Sequence, residues 1–179
     1  VDGDMALVAI EAFGLRLATV PHLAVLDRNT AIRRDAFDDA LEQFYKRWRE
    51  NPLVIDKWFA VQAAAPRSDA LVRIEKLRAH PDFNTRNPNR VRALAASFAM
   101  RNPRAFHTAD GAGYRFLADM AEAIDPLNPS LAARLLTTFE SWKRFDSQRQ
   151  SHARAALERL KGLPQLSKNT REVVERTLA

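Results

Sequence analysis

A chain of 179 residues with 46% hydrophobic content is long enough to bury about 70% of the surface its unfolded form exposes, the range of one domain with a continuous core. The absence of cysteine excludes disulfides and thiolate metal sites and fits a reducing cytoplasm. Lys and Arg number 28 against 22 Asp and Glu, a net charge of +6, so nucleic acid has to be weighed as a partner.

Taken in order, the chain reads as helix after helix. The opening VDGDMALVAIEAFGLRLATV contains Asp2, Asp4, Glu11 and Arg16, a pattern of neither a signal peptide nor a membrane span. Asp4 suits the cap of a helix from Met5 to about Phe13, with Gly14 a break and Arg16 to Val20 continuing to Pro21. From Thr30 as cap, Phe37, Leu41, Phe44 and Trp48 recur at helical spacing and predict a strongly amphipathic helix. Asn51-Pro52 starts the next, with Ile55, Phe59 and Ala63 aligned, Trp58 and Gln62 beside them, and Pro66 as the stop. Ser68 caps a helix through Leu71, Ile74, Leu77 and Arg78, closed by His80-Pro81.

Asn-Pro recurs at Asn87-Pro88, Asn102-Pro103 and Asn128-Pro129. In such a pair the Asn side chain accepts from an unpaired N–H of the first turn, and Pro fills a position that needs no donor. After Pro88, Val91, Leu94, Ala95 and Phe98 form one buried stripe, with Arg90 and Arg92 near its margins. Asp110 to Tyr114, DGAGY, reads as a turn between helices with glycine supplying positive φ; it lacks the Lys-Ser/Thr of a phosphate loop, and no strand precedes it. Helices follow from Tyr114 to Ile124, from Pro129 to about Lys143 and from Asp146 to Lys161, the last stopped by Gly162 and Pro164. Ser167 opens the final helix, with Val174 and Leu178 one turn apart.

No stretch alternates in the manner of a strand, so the expected class is all-α. Helical hairpins of about 35–45 residues are the size of HEAT or armadillo units, although no motif recurs at a fixed period. The predicted architecture is an irregular α-solenoid of stacked hairpins, 1–179 forming a single domain.

No catalytic constellation accompanies it. His22, His80, His107 and His152 are widely separated, and none has a carboxylate or second His at ligand spacing on one helix face. His80 and His107 read as loop or helix-end residues, Trp58 and Phe59 as interhelical packing, and Asp56 and Lys57 as solvated. The basic residues alternate with acidic ones, as at Arg49-Glu50 and Glu158-Arg159, which is the habit of a solvated helix face. The densest run, Trp142-Lys143-Arg144 through Arg149, Arg154, Arg159 and Lys161, lacks the interleaved aromatics of a single-strand binder. The composition therefore favours neither a nucleic-acid nor a membrane partner.

DKWFAVQA at Asp56, HPDFNTRNPNRVRALAASFA at His80, NPRAFH, DGAGYRF, NPSLAARLL and ALERLKGLPQLS together make a specific resemblance. From about Phe37 to Ala179 the chain resembles the C-terminal helical domain of bacterial aminopeptidase N, in the M1 family of zinc metallopeptidases; residues before about Asp35 match more loosely. The family's HExxH zinc motif and its GxMEN exopeptidase motif are both absent from this sequence. The resemblance therefore implies a non-catalytic segment, with no metal or cofactor of its own, whose parent is a zinc aminopeptidase that removes N-terminal amino acids from peptides. It implies the later part of a superhelical domain that covers the active site, with the upstream catalytic domains as partners and peptides as substrates. It also implies that Arg92 and Arg134 face the substrate chamber, where a guanidinium can grip a peptide's C-terminal carboxylate; the other reading is a pair of arginines bracing loops. A missing preceding layer would leave an apolar face near Val8, Phe13 and Leu17. The competing class is a free-standing solenoid adaptor that binds a protein along its concave face.

Overall fold

A computed structural model describes residues 31–179, with side chains from Phe37 onward. The helices expected before Thr30, that residue's cap and the face at Val8, Phe13 and Leu17 lie outside the described residues. Among the described residues every regular element is helical, and the chain is an all-α solenoid.

Helices α1 (Ala31–Trp48) and α2 (Pro52–Ala64) form the first hairpin, and α3 (Ala70–Arg78) packs back on α2. A longer helical stretch follows as α4 (Pro88–Val91), a π-turn (Arg92–Ala96) and α5 (Ser97–Arg101), then the single turn α6 (Pro103–Phe106). Helices α7 (Ala112–Ile124) and α8 (Pro129–Leu136) lead into a 3₁₀ segment (Thr137–Arg144), after which come α9 (Ser147–Lys161) and α10 (Lys168–Leu178). In this last half α7 packs on α9 and α8 on α10, so alternate helices stack into two layers.

The caps explain most of the boundaries. Asn51 accepts from the Val54 N–H, Asn87 from those of Asn89 and Arg90, and Asn128 from that of Leu131, each ahead of a Pro in the first turn. Asp146 and Ser167 cap α9 and α10 as expected. Two expected caps differ. Helix α3 starts at Ala70 after Asp69 rather than Ser68, and the Asp69 carboxylate makes no cap because Arg67 holds it at 2.9 Å. Asn102, almost fully buried, turns its amide away from α6 and donates to the carbonyls of Ala63 and Ala65 at the end of α2.

The core is one connected cluster from Ala40 to Val174, and Val91, Leu94, Ala95 and Phe98 are all fully buried within it. Trp58 packs between Tyr45 and Phe59 and donates its indole N–H to Leu41 O, which ties α2 to α1. Arg90 corrects the expectation of a marginal position: it is 5% exposed. Its guanidinium meets Asp56 at 2.6 Å and the Asp82 and Pro52 carbonyls, over the face of Phe59. Asp56 is accordingly a paired wall residue rather than a solvated one.

The helix expected from Pro129 to Lys143 narrows after Leu136. There the Thr137 hydroxyl donates to the Arg134 carbonyl three residues back, local bonding that competes with the α-helical ladder. At the glycine turn Gly111 has φ of 68°, the left-handed region expected of it. Gly113 has another reason to be glycine: a Cβ there would lie 2.2 Å from Phe106 O.

Candidate functional site

Three helical segments contribute one face each to an open groove of ≈ 780 Å³. Leu53, Asp56, Lys57 and Ala60 come from α2, and Leu131, Arg134, Leu135 and Thr138 from α8 and the residues after it. Both sets follow the i, i+3, i+4, i+7 rule for a single helix face. Between them the α4–α5 stretch supplies Asn89, Arg92, Ala93, Ala96, Ser97, Met100 and Arg101.

A π-turn lies in the middle of that wall. Ser97 N–H bonds to Arg92 O five residues back, and a turn of that width advances less per residue than an α-turn. The lining residues Asn89, Arg92, Ala93, Ala96, Ser97, Met100 and Arg101 keep the three- and four-residue spacing of one helix face through it, while Val91, Leu94, Ala95 and Phe98 face the core. Nothing in the sequence announces the π-turn.

Arg92 and Arg134, 42 positions apart in the sequence, therefore line one cavity. Arg92 is steadied by Asn89, whose Oδ1 accepts from its Nη1 at 3.0 Å. Arg134 is exposed at its place on α8. Lys57, Asn89 and Arg101 belong to the same walls and were not among the residues expected there. The available signals were the α2 spacing of Leu53, Asp56, Lys57 and Ala60 and a further basic residue, Arg101, two positions before Pro103. Asp56 is the groove's carboxylate, and its charge is engaged by the buried Arg90.

The histidines lie in other surroundings. His80 sits among Tyr45, Trp58 and Phe59 and accepts the Asp82 N–H at Nδ1. His107 stacks on Phe145 and shares a 2.8 Å hydrogen bond between its Nδ1 and the Tyr114 hydroxyl. Burial lowers the pKa of both imidazoles, aided at His107 by the Arg149 charge. Among the described residues no three His, Cys, Asp or Glu side chains come together as a metal-ligating group. The described residues therefore do not fit the zinc of the resembled peptidases. No helix among them is long and apolar enough to cross a membrane.

A solenoid with these motifs can be set against known proteins. The profile of a family described as "Domain of unknown function (DUF3458_C) ARM repeats" matches residues 19–179. The chain belongs to this family. Relatives of this DUF3458_C domain include aminopeptidase N of Caulobacter vibrioides, 48% identical over 141 residues, which make up 79% of this chain and 16% of that protein. Aminopeptidase N of Haemophilus influenzae is 42% identical over 160 residues, 89% of this chain and 18% of the relative. For aminopeptidase N of Escherichia coli the figures are 41% over 157 residues, 88% and 18%. The crystal structure of Legionella pneumophila aminopeptidase A in complex with aspartic acid matches with a TM-score of 0.78 and 32% identity, covering 98% of this chain and 20% of that one. The resemblance to the C-terminal domain of aminopeptidase N is borne out, and the chain spans less than a fifth of the length of the curated relatives described here.

Proposed function

We propose that this DUF3458_C domain is the non-catalytic part of a zinc aminopeptidase that removes N-terminal amino acids from peptides. It covers the active site contributed by upstream domains of the same polypeptide, limits entry to short or unfolded peptides, and uses Arg92 and Arg134 to hold the substrate's C-terminal carboxylate. The observation that carries this reading is the convergence of the two arginines, from α8 and from the π-turn, on one groove. The groove's ≈ 780 Å³ lies in the range of cavities that take a small ligand. A guanidinium matches a carboxylate in a two-point fork, a geometry that lysine lacks.

The test is kinetic, in the full-length aminopeptidase. Arg92→Ala and Arg134→Ala raise KM for free di- and tripeptides and spare the C-terminally amidated forms. Losing a charge-assisted hydrogen bond of this kind weakens binding by about 1.5–3 kcal/mol. Lys at either position restores charge without full recovery. Equal losses on free and amidated peptides, accompanied by a lowered Tm, would show that the arginines only brace the solenoid.

A further inference from the structure

The groove holds more positive charge than a single terminal carboxylate needs. Lys57 on α2 and Arg101 at the end of α5 line it together with Arg92 and Arg134. Lys57, Arg101 and Arg134 are all exposed, and none is ion-paired to a described residue. The one lining carboxylate among the described residues, Asp56, is held at 2.6 Å by buried Arg90, so it offsets little of their field. A cleft lined by one sign of charge concentrates ligands of the other.

Two of the largest exposed apolar side chains border the same space: Leu53 is 69% and Met100 63% exposed. Among the described residues no aromatic side chain lines the groove, so these walls offer bases no stacking platform. The combination of unpaired cations with aliphatic side chains matches a peptide rather than a nucleic acid.

We infer that the groove binds acidic peptide segments, with Lys57 and Arg101 meeting Asp or Glu side chains while aliphatic residues of the peptide rest on Leu53 and Met100. This rests on the groove being a peptide site, but it requires no terminal carboxylate. Acidic residues along a substrate therefore raise its occupancy of the groove, and long-range attraction draws such peptides in.

The experiment measures fluorescence anisotropy on the 179-residue chain with a labelled, C-terminally amidated peptide of Glu and Leu, and with its Gln and Leu counterpart. The Glu peptide binds at least about tenfold more tightly at low salt. Its advantage shrinks as the screening length falls from about 30 Å at 0.01 M to about 10 Å at 0.1 M salt. The double variant Lys57→Glu, Arg101→Glu abolishes the preference, whereas the same charge change off the groove, Arg144→Glu with Lys161→Glu, leaves most of it. Circular dichroism confirms folding, and Lys57→Gln with Arg101→Gln serves if the reversal fails to fold. Equal binding of the two peptides, a preference that survives the groove variants, or equally tight binding of a single-stranded oligonucleotide would each overturn the inference. Because both probes are amidated, failure here leaves the role of Arg92 and Arg134 standing. Failure of the free-versus-amidated comparison likewise leaves this result untouched.

Discussion

Asp56→Ala should be among the most damaging single changes at the groove, and the reason lies behind its wall. Asp56 gives Arg90 its only ion pair among the described residues, at 2.6 Å, with the Asp56 side chain 16% and the Arg90 side chain 6% exposed. Deleting one member of a buried pair leaves an uncompensated charge and costs about 3–5 kcal/mol. Two carbonyls, of Asp82 and Pro52, and the face of Phe59 would stay with the guanidinium, which places the loss near about 3 kcal/mol. Asp56→Asn retains an acceptor without the charge and should cost roughly half as much, about 1.5 kcal/mol. Replacing both partners by apolar residues, Asp56→Leu with Arg90→Met, should be far milder than either single change, since no unpaired charge remains. Urea unfolding followed by circular dichroism on the wild type, Asp56→Leu, Arg90→Met and the double variant supplies the four free energies of the cycle and hence the coupling. If Asp56→Ala lies within about 1 kcal/mol of the wild type, as for a surface ion pair, the pair is solvated and this account of the groove wall fails.

Stability should also fall as pH drops through the histidine range. The folded pKa of His107 is lowered by burial and by Arg149, so below its ordinary value of about 6.5 the unfolded chain binds a proton that the folded chain refuses. Stability is thus fully present above that value and is lost as pH falls toward the folded pKa. His80 acts in the same direction, so His107→Phe should remove only part of the slope in urea midpoint between about pH 7 and 5; an unchanged slope would contradict the assignment. Gly113→Ala should cost about 2 kcal/mol, because its Cβ would meet the Phe106 backbone at 2.2 Å. Gly162→Ala, whose nearest contact would be 3.5 Å, should be neutral or stabilising by about 0.5 kcal/mol, both glycine variants being read by the same urea unfolding.

What could be read from the sequence was whatever short-range chemistry decides. Asn51, Asn87 and Asn128 cap their helices because the cap, the proline and the orphan N–H groups lie within a few residues of one another. The buried stripe from Val91 to Phe98 was legible for the same reason, since a helix repeats its face locally. Asn102 has the same local motif and a different fate, because carbonyls 37 and 39 residues earlier compete for its amide. Arg90 looked marginal by spacing, and only the approach of Asp56, 34 residues away, makes its burial tolerable. Arg92 and Arg134 could be singled out as residues, but the common groove depends on how α2, the π-turn and α8 stack. Lys57 escaped notice because a lysine beside a packed Trp58-Phe59 pair is locally indistinguishable from any solvated lysine.

The polar side chains that cross between helices bear on how this domain comes apart. A stack of helical hairpins held only by apolar contact with neighbours tends to fray from its ends, one layer at a time. Here Asn102 is bonded across to the end of α2, and Arg149 donates to the His107 carbonyl. Asp125, buried after α7, accepts from the Ser167 N–H and from the hydroxyls of Ser167 and Thr170 at the start of α10. Trp142 closes the far end by donating to the Thr177 carbonyl. Peeling α10 away would strand the Asp125 carboxylate and the Trp142 indole together, so this layer has no inexpensive way to leave first. Amide hydrogens in α10 should then exchange at rates approaching those of α7 and α8, and this helix behaves as a keystone of the stack rather than a loosely held layer.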